Sequence, residues 1–201
     1  MSGIPRVELR EGPAPVWKVT AMKISLEQPH HAAAVEQLNE VAFGPDRYAK
    51  TVYRLRDGVA RLPELCFVAL GDSENDKGEL LASLRFWPIA IGQKRRPAVL
   101  LGPLAVQPAL RGRGHGKALM RHGIEQAHKL GHKLIVLVGD PEYYNPFGFT
   151  REQALALSLP GPVEERRFLA LTLEPGALDR VSGMIGKPAS AQAAAKKQKR
   201  A

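Results

Sequence analysis

Leu134–Val138 reads Leu-Ile-Val-Leu-Val, five apolar residues in a row with no polar alternation. Such a run is a strand of the kind buried on both faces, so the sheet that holds it must be covered above and below. The helices to do this flank it. Residues 116–130 put Leu119, Met120, Gly123, Ile124, Ala127 and Leu130 on one helical face, and Gly131 stands at the position just past the helix end. Residues 30–43 and 46–59 read as two further helices punctuated by Gly44-Pro45. A strand pattern opens at Met22-Lys23 with Ile24 and Leu26, and strands 65–70 and 80–91 flank the polar turn 71–78 as a hairpin. Strand 98–106 comes next; after Leu134–Val138 follow a short helix at 141–145 and strands at 149–157 and 168–173. The sum is an α/β (α+β) domain, a mixed sheet with helices on both faces.

A chain of 201 residues, 44% apolar and 24% charged, has ample material for one core. No run of 18 apolar residues exists, so no membrane span is expected, and residues 1–22 lack the apolar stretch of a secretory signal. Cys66 is the single cysteine; it reads as a small buried hydrophobe, and neither an internal disulfide nor a cysteine metal site can be built from it. A reducing, cytoplasmic setting fits. The three segments expected are a weakly ordered extension at 1–22, a domain at 23–184, and a basic flexible tail at 185–201.

The net charge of +9 is concentrated. Residues 85–121 carry eight Lys or Arg and no acid, and residues 187–201 carry five more, again unopposed. Two basic zones point to anionic partners, although a charge run is more commonly a solvated face.

The central zone has a specific arrangement. An apolar strand ends at Val106, a loop holds Gly112, Gly114 and Gly116, and a helix begins there. Glycines let backbone N–H groups approach a ligand, and a helix N-terminus adds free donors and a positive dipole end. Arg111, Arg113 and Lys117 bring cations to the same place, so the segment is a pyrophosphate cradle. It is not a Walker A loop, because position 111 is Arg and Lys117 is followed by Ala118. Nor is it a dinucleotide fingerprint, which would require glycine at 117.

The spacing Arg111-x-x-Gly114-x-Gly116 after an apolar strand resembles the coenzyme A signature of the GNAT superfamily of N-acetyltransferases. Tyr144-Asn145-Pro146-Phe147-Gly148-Phe149 resembles that family's Y-x-x-x-G-F segment, and the order of elements over residues 23–184 agrees. Val138-Gly139-Asp140-Pro141-Glu142-Tyr143-Tyr144 and Ser158-Leu159-Pro160-Gly161-Pro162 look like its bacterial YhbS-type branch. The resemblance implies a mostly antiparallel sheet of six or seven strands, splayed between the fourth and fifth. It implies acetyl-CoA as co-substrate, no metal, and a small-molecule or peptide amine as acceptor, in a monomer or homodimer. Arg111, Gly112, Arg113, Gly114, His115, Gly116 and Lys117 would hold the pyrophosphate, and the strand at Leu104, Ala105 and Val106 would bind the pantetheine amides. Tyr144 would act as general acid toward the departing thiolate, with Tyr143 packing beside it.

Gly102-Pro103 agrees on physical grounds. Proline cannot donate to a sheet ladder, so a plain central strand is disfavoured there and a bulge reconciles it. The general base is not legible: Glu40, Asp46, Glu142 and a water relay all remain open. Gly139-Asp140-Pro141 stands where many family members carry Asn. His128 and His132 are four apart, but Gly131 separates them, and His30 and His31 read as helix-start residues. Two other functions compete: a non-catalytic acyl-CoA-binding domain, against which Tyr144 argues, and a nucleic-acid-associated protein, whose contact would run through the basic tail.

Overall fold

The structure, a computed structural model, describes residues 21–188. The expected weak order of the N-terminal segment and mobility of residues 189–201 lie outside it. The sheet runs β1 (Met22–Leu26), β2 (Phe67–Gly71), β3 (Leu80–Ile91), β4 (Arg96–Val106), β5 (Leu134–Val138) and β7 (Phe168–Thr172) in that spatial order. Two short strands, β6 (Leu157–Ser158) and β8 (Gly183–Gly186), pair in parallel with each other, and β8 adds to the end of β3. Among the described residues the sheet therefore has eight strands rather than six or seven. Along the main path every pairing is antiparallel except β4 with β5.

The apolar run does what its composition demands. Leu134 and Val136 enter one core with Leu55, Ile89, Leu100 and Ala170, while Ile135 and Leu137 enter the opposite core with Leu84, Phe86, Leu119 and Met120. The helices are α1 (Ala32–Phe43), α2 (Thr51–Arg56), α3 (His115–Lys129) and the single turn α4 (Pro141–Tyr144). Helix α3 ends in a Schellman motif: Gly131 has φ +79°, its N–H donates to His128, and the His132 N–H donates to Ala127. Gly123 lets α3 lie close on the sheet, since a Cβ there would stand 2.7 Å from Leu84 and 3.0 Å from Phe86. Gly123→Ala should therefore cost about 1–3 kcal/mol by overpacking, read as a lower Tm or denaturation midpoint. An unchanged midpoint would show that the core yields at this position.

Three expectations need correction. Residues 46–59 are not one helix: a 3-10 segment Pro45–Ala49 precedes α2, with Lys50 extended between them. The Thr51 hydroxyl donates to the distant Pro162 carbonyl at 2.8 Å, a tertiary contact that fixes the second helix separately. Residues 149–157 form only a bridge at Thr150, a 3-10 turn at Glu152–Ala154 and the start of β6. There the Gln153 amide donates to the Gly148 carbonyl and its oxygen accepts from the Thr172 N–H, spending side-chain bonds where a ladder was expected. Finally, β1 begins at Met22, and Ile185 of β8 is fully buried, so the boundaries drawn after 22 and before 185 fall inside strands.

Candidate active site

The bulge expected at Gly102-Pro103 is present. Leu84 opposes Leu104 while Phe86 opposes Leu101, so β4 advances three residues where β3 advances two. Pairing of β4 with β5 is confined to Val99 with Ile135 and Leu100 with Val136. Beyond Leu100 the two strands part, and among the described residues the β4 edge facing β5 has no strand partner there.

Two cavities meet at this opening. The first, about 450 Å³, is lined by Arg111, Gly112, Gly114, His115, Gly116 and Lys117 from the loop and the start of α3, by Leu104 and Val106 of β4, and by Tyr143 and Tyr144. The second, about 330 Å³, lies within the splay, between Leu101–Leu104 of β4 and Leu137 and Val138 of β5, with Tyr53 and Arg56 on its α2 side. Phe43, Leu104 and Tyr144 line both.

The first cavity has the features of an anion cradle. Gly112 and Gly114 have φ +78° and +94°, and a Cβ on either would meet nothing within 4 Å, so the backbone is open to a ligand. The first turn of α3 carries no acid, leaving its N–H groups and dipole end uncompensated. Gly116 serves differently, because a Cβ there would stand 2.7 Å from the Tyr143 hydroxyl and 3.2 Å from Val106.

Two residues expected at the cofactor do not face it. Ala105 is buried on the opposite side of β4, and the Arg113 side chain is exposed outside the cleft. His115 is fully buried, and both its ring nitrogens lack partners among the described residues, so its contribution to the cleft is backbone. Of the candidate bases, Glu40 and Asp46 are exposed and line neither cavity, and Glu142 is an exposed residue 3.6 Å from Arg166. The acid in the second cavity is Glu164, which is paired with Arg166.

Tyr144 is held by its surroundings. Its N–H donates to the Asp140 carbonyl, Gly148 with φ +89° closes the turn below it, and its ring meets the fully buried Phe149 edge-on at 6.0 Å. Gly139 makes room for it, since a Cβ there would stand 2.1 Å from the Tyr144 ring. Burial, and then the neighbouring Tyr143 and Asp140, push the Tyr144 phenol well above its ordinary value, while Arg167 and Arg56 oppose that shift. The phenol is therefore protonated at neutral pH, the state an acid needs.

Sequence reasoning passed over Arg56, Tyr53 and Arg167, and noted Asp140 only as standing where Asn is common. Tyr53 and Arg56 are three apart on one helix, a spacing that puts them on one face, and that was the available signal. Asp140 lines the first cavity and lies 3.3 Å from Arg167, which lines the second.

These features define a mixed α/β fold with an anion cradle beside a splayed sheet, and comparison with known proteins assigns its family. Residues 32–149 match the Acetyltransferase (GNAT) family, and the chain belongs to it. It is similar to the uncharacterized N-acetyltransferase YhbS of Escherichia coli K12, 30% identical over 166 residues, covering 82% of this chain and 95% of that protein. The crystal structure of Escherichia coli YhbS in complex with CoA superposes with a TM-score of 0.69 at 29% identity, covering 83% of this chain and 89% of that one. A GNAT family acetyltransferase from Brucella melitensis in complex with acetyl-CoA gives 0.62 at 30% identity, covering 85% and 98%. No helix among the described residues is long and apolar enough to cross a membrane.

Proposed function

We propose that the protein transfers an acetyl group from acetyl-CoA to a primary amine by direct attack within a ternary complex, in a cytoplasmic setting. The observation that carries this reading is the continuity of the two cavities through Leu104 and Tyr144, with an anion cradle at one end and a chamber within the strand splay at the other. The residues present fit the co-substrate. Backbone N–H groups at 112–117 with Arg111 and Lys117 hold the pyrophosphate, and the open edge of β4 at Leu104 and Val106 accepts an extended amide-bearing arm. Acetyl-CoA supplies an activated thioester carbonyl.

The acceptor nitrogen attacks that carbonyl from the second chamber; the C–N bond forms and the C–S bond breaks. The leaving thiolate takes the Tyr144 proton, and the proton lost from nitrogen leaves by way of water. Among the described residues no carboxylate free of an ion pair lines the chamber, which favours an acceptor already neutral in part at working pH, such as an α-amino group near pKa ~8, over a lysine near ~10.4.

Acetyl-CoA at ~100 times its dissociation constant should stabilise the fold by about 2.7 kcal/mol, seen as a raised Tm. An amine screen detecting released thiol then identifies the acceptor. A folded protein whose melting ignores saturating acetyl-CoA would end this reading.

A further inference from the structure

The second cavity continues into a third, of about 350 Å³, through Tyr53, Arg56 and Pro103. Arg56 stands at that junction. Its guanidinium carbon lies 4.7 Å from the Tyr53 ring centroid and 4.9 Å from that of Trp87, between two aromatic walls. Its Nε and Nη1 are buried and, among the described residues, have no hydrogen-bond partner; the buried Tyr53 hydroxyl has none either. Gly102, at φ +106° in the bulge, leaves it space, since a Cβ there would stand 3.3 Å from Nη2.

The charges around Arg56 are already committed elsewhere. Arg85 holds Glu27 through two bonds of 2.6 and 2.7 Å and also binds Glu36, while Arg61 reaches Glu27 at 3.1 Å. Asp57 is exposed and faces Lys187 at 3.6 Å, and Glu164 is taken by Arg166. Arg56 is thus a half-buried cation, shielded at Nε and Nη1 and without a counter-ion among the described residues, a costly arrangement in the absence of an anion. Burial pulls it down to about 10, which still leaves it charged at neutral pH.

We infer that the acceptor is a small amine carrying a carboxylate, such as a short peptide with a free C-terminus, and that Arg56 with the Tyr53 hydroxyl receives that carboxylate. The inference rests on the reading of the second cavity as the acceptor chamber. One guanidinium and one hydroxyl match a single planar monoanion; Lys50, exposed at the rim of the same chamber, is a further cation there. Arg56 and Tyr144 line the same small chamber, so the carboxylate and the reacting amine belong to one small molecule.

The test pairs dipeptides with their C-terminal carboxamides, whose α-amino groups both ionise near pKa ~8, in turnover with acetyl-CoA and in melting scans with CoA. The acids should exceed their amides by roughly 10–100-fold in kcat/KM, the worth of a charged hydrogen bond, and should alone raise the Tm. Arg56→Met should erase that preference while keeping the melting shift given by acetyl-CoA, and Tyr53→Phe should weaken it. The wild-type comparison stands even where Arg56→Met does not fold. Acids and amides that perform alike in both readouts, or a preference that survives in folded Arg56→Met, would overturn the inference. If acetyl-CoA itself gives no shift, the acetyl-transfer reading falls, and the acid-against-amide melting comparison still decides whether Arg56 receives a carboxylate.

Discussion

Tyr144→Phe should lower kcat by roughly 10²–10⁴-fold while acetyl-CoA continues to raise the Tm as in the wild type. The substitution keeps the ring that rests over Gly139 and against Phe149 and removes only the hydroxyl. Because the phenol is shifted upward by burial, it stays protonated through neutral pH, and any loss of rate from its deprotonation should appear only above pH ~10. If Tyr144 donates, the phenolate left would be the unfavourable state, and Arg167 and Arg56, which act to lower the phenol's shift, are the charges that would steady it until a proton returns. Tyr143→Phe is the control. That hydroxyl sits over Gly116 and lines only the first cavity, so its loss should cost far less turnover. Equal kcat for wild type and Tyr144→Phe, with chemistry limiting, would remove Tyr144 from the mechanism. Equal losses from both variants would mean that the hydroxyls shape the cleft and that neither is singled out as the acid.

The parts of this architecture legible in the sequence are those governed by local rules. Five unalternated apolar residues required a strand covered on both faces, and Leu134–Val138 alternates between two cores. Proline in an apolar strand required a bulge, and the register slips by one residue at Gly102-Pro103. Gly131 required a helix end, and it closes α3. Illegible were the places where a distant residue decides. Thr51 is held by Pro162 across the fold, and Gln153 takes the bonds that a strand at 149–157 would have made along its ladder. The same limit applies to the site. A glycine loop before a helix announces an anion cradle, because one continuous segment supplies it. Arg56 gains its character only from Tyr53, Trp87 and the bulge closing around it, and from four acids nearby being bound to other cations. That Ala105 and Arg113 turn away from the cleft is likewise a matter of side-chain direction, which loop spacing does not encode.

Gly114→Glu should abolish the stabilisation that acetyl-CoA gives, a loss of about 2.7 kcal/mol at ~100 times the wild-type dissociation constant. Gly114 precedes α3 at φ +94°, and a side chain there projects into the space where the cradle is open. Glutamate would place a carboxylate against the first free N–H groups of the helix, satisfying the donors meant for the pyrophosphate and repelling its charge. The variant also forces a non-glycine residue into a left-handed conformation, which costs roughly 1–2 kcal/mol of fold stability by itself. Gly114→Ala separates the two effects, since it carries the same backbone strain with no charge. Both variants should melt somewhat lower than wild type without ligand; acetyl-CoA should still raise the Tm of the alanine variant and leave that of the glutamate variant unmoved. A glutamate variant that responds fully to acetyl-CoA would mean that the pyrophosphate is held elsewhere and that the loop is a surface turn. Loss of the response in both would assign the cradle to the backbone conformation of Gly114 itself, with the added charge contributing nothing further.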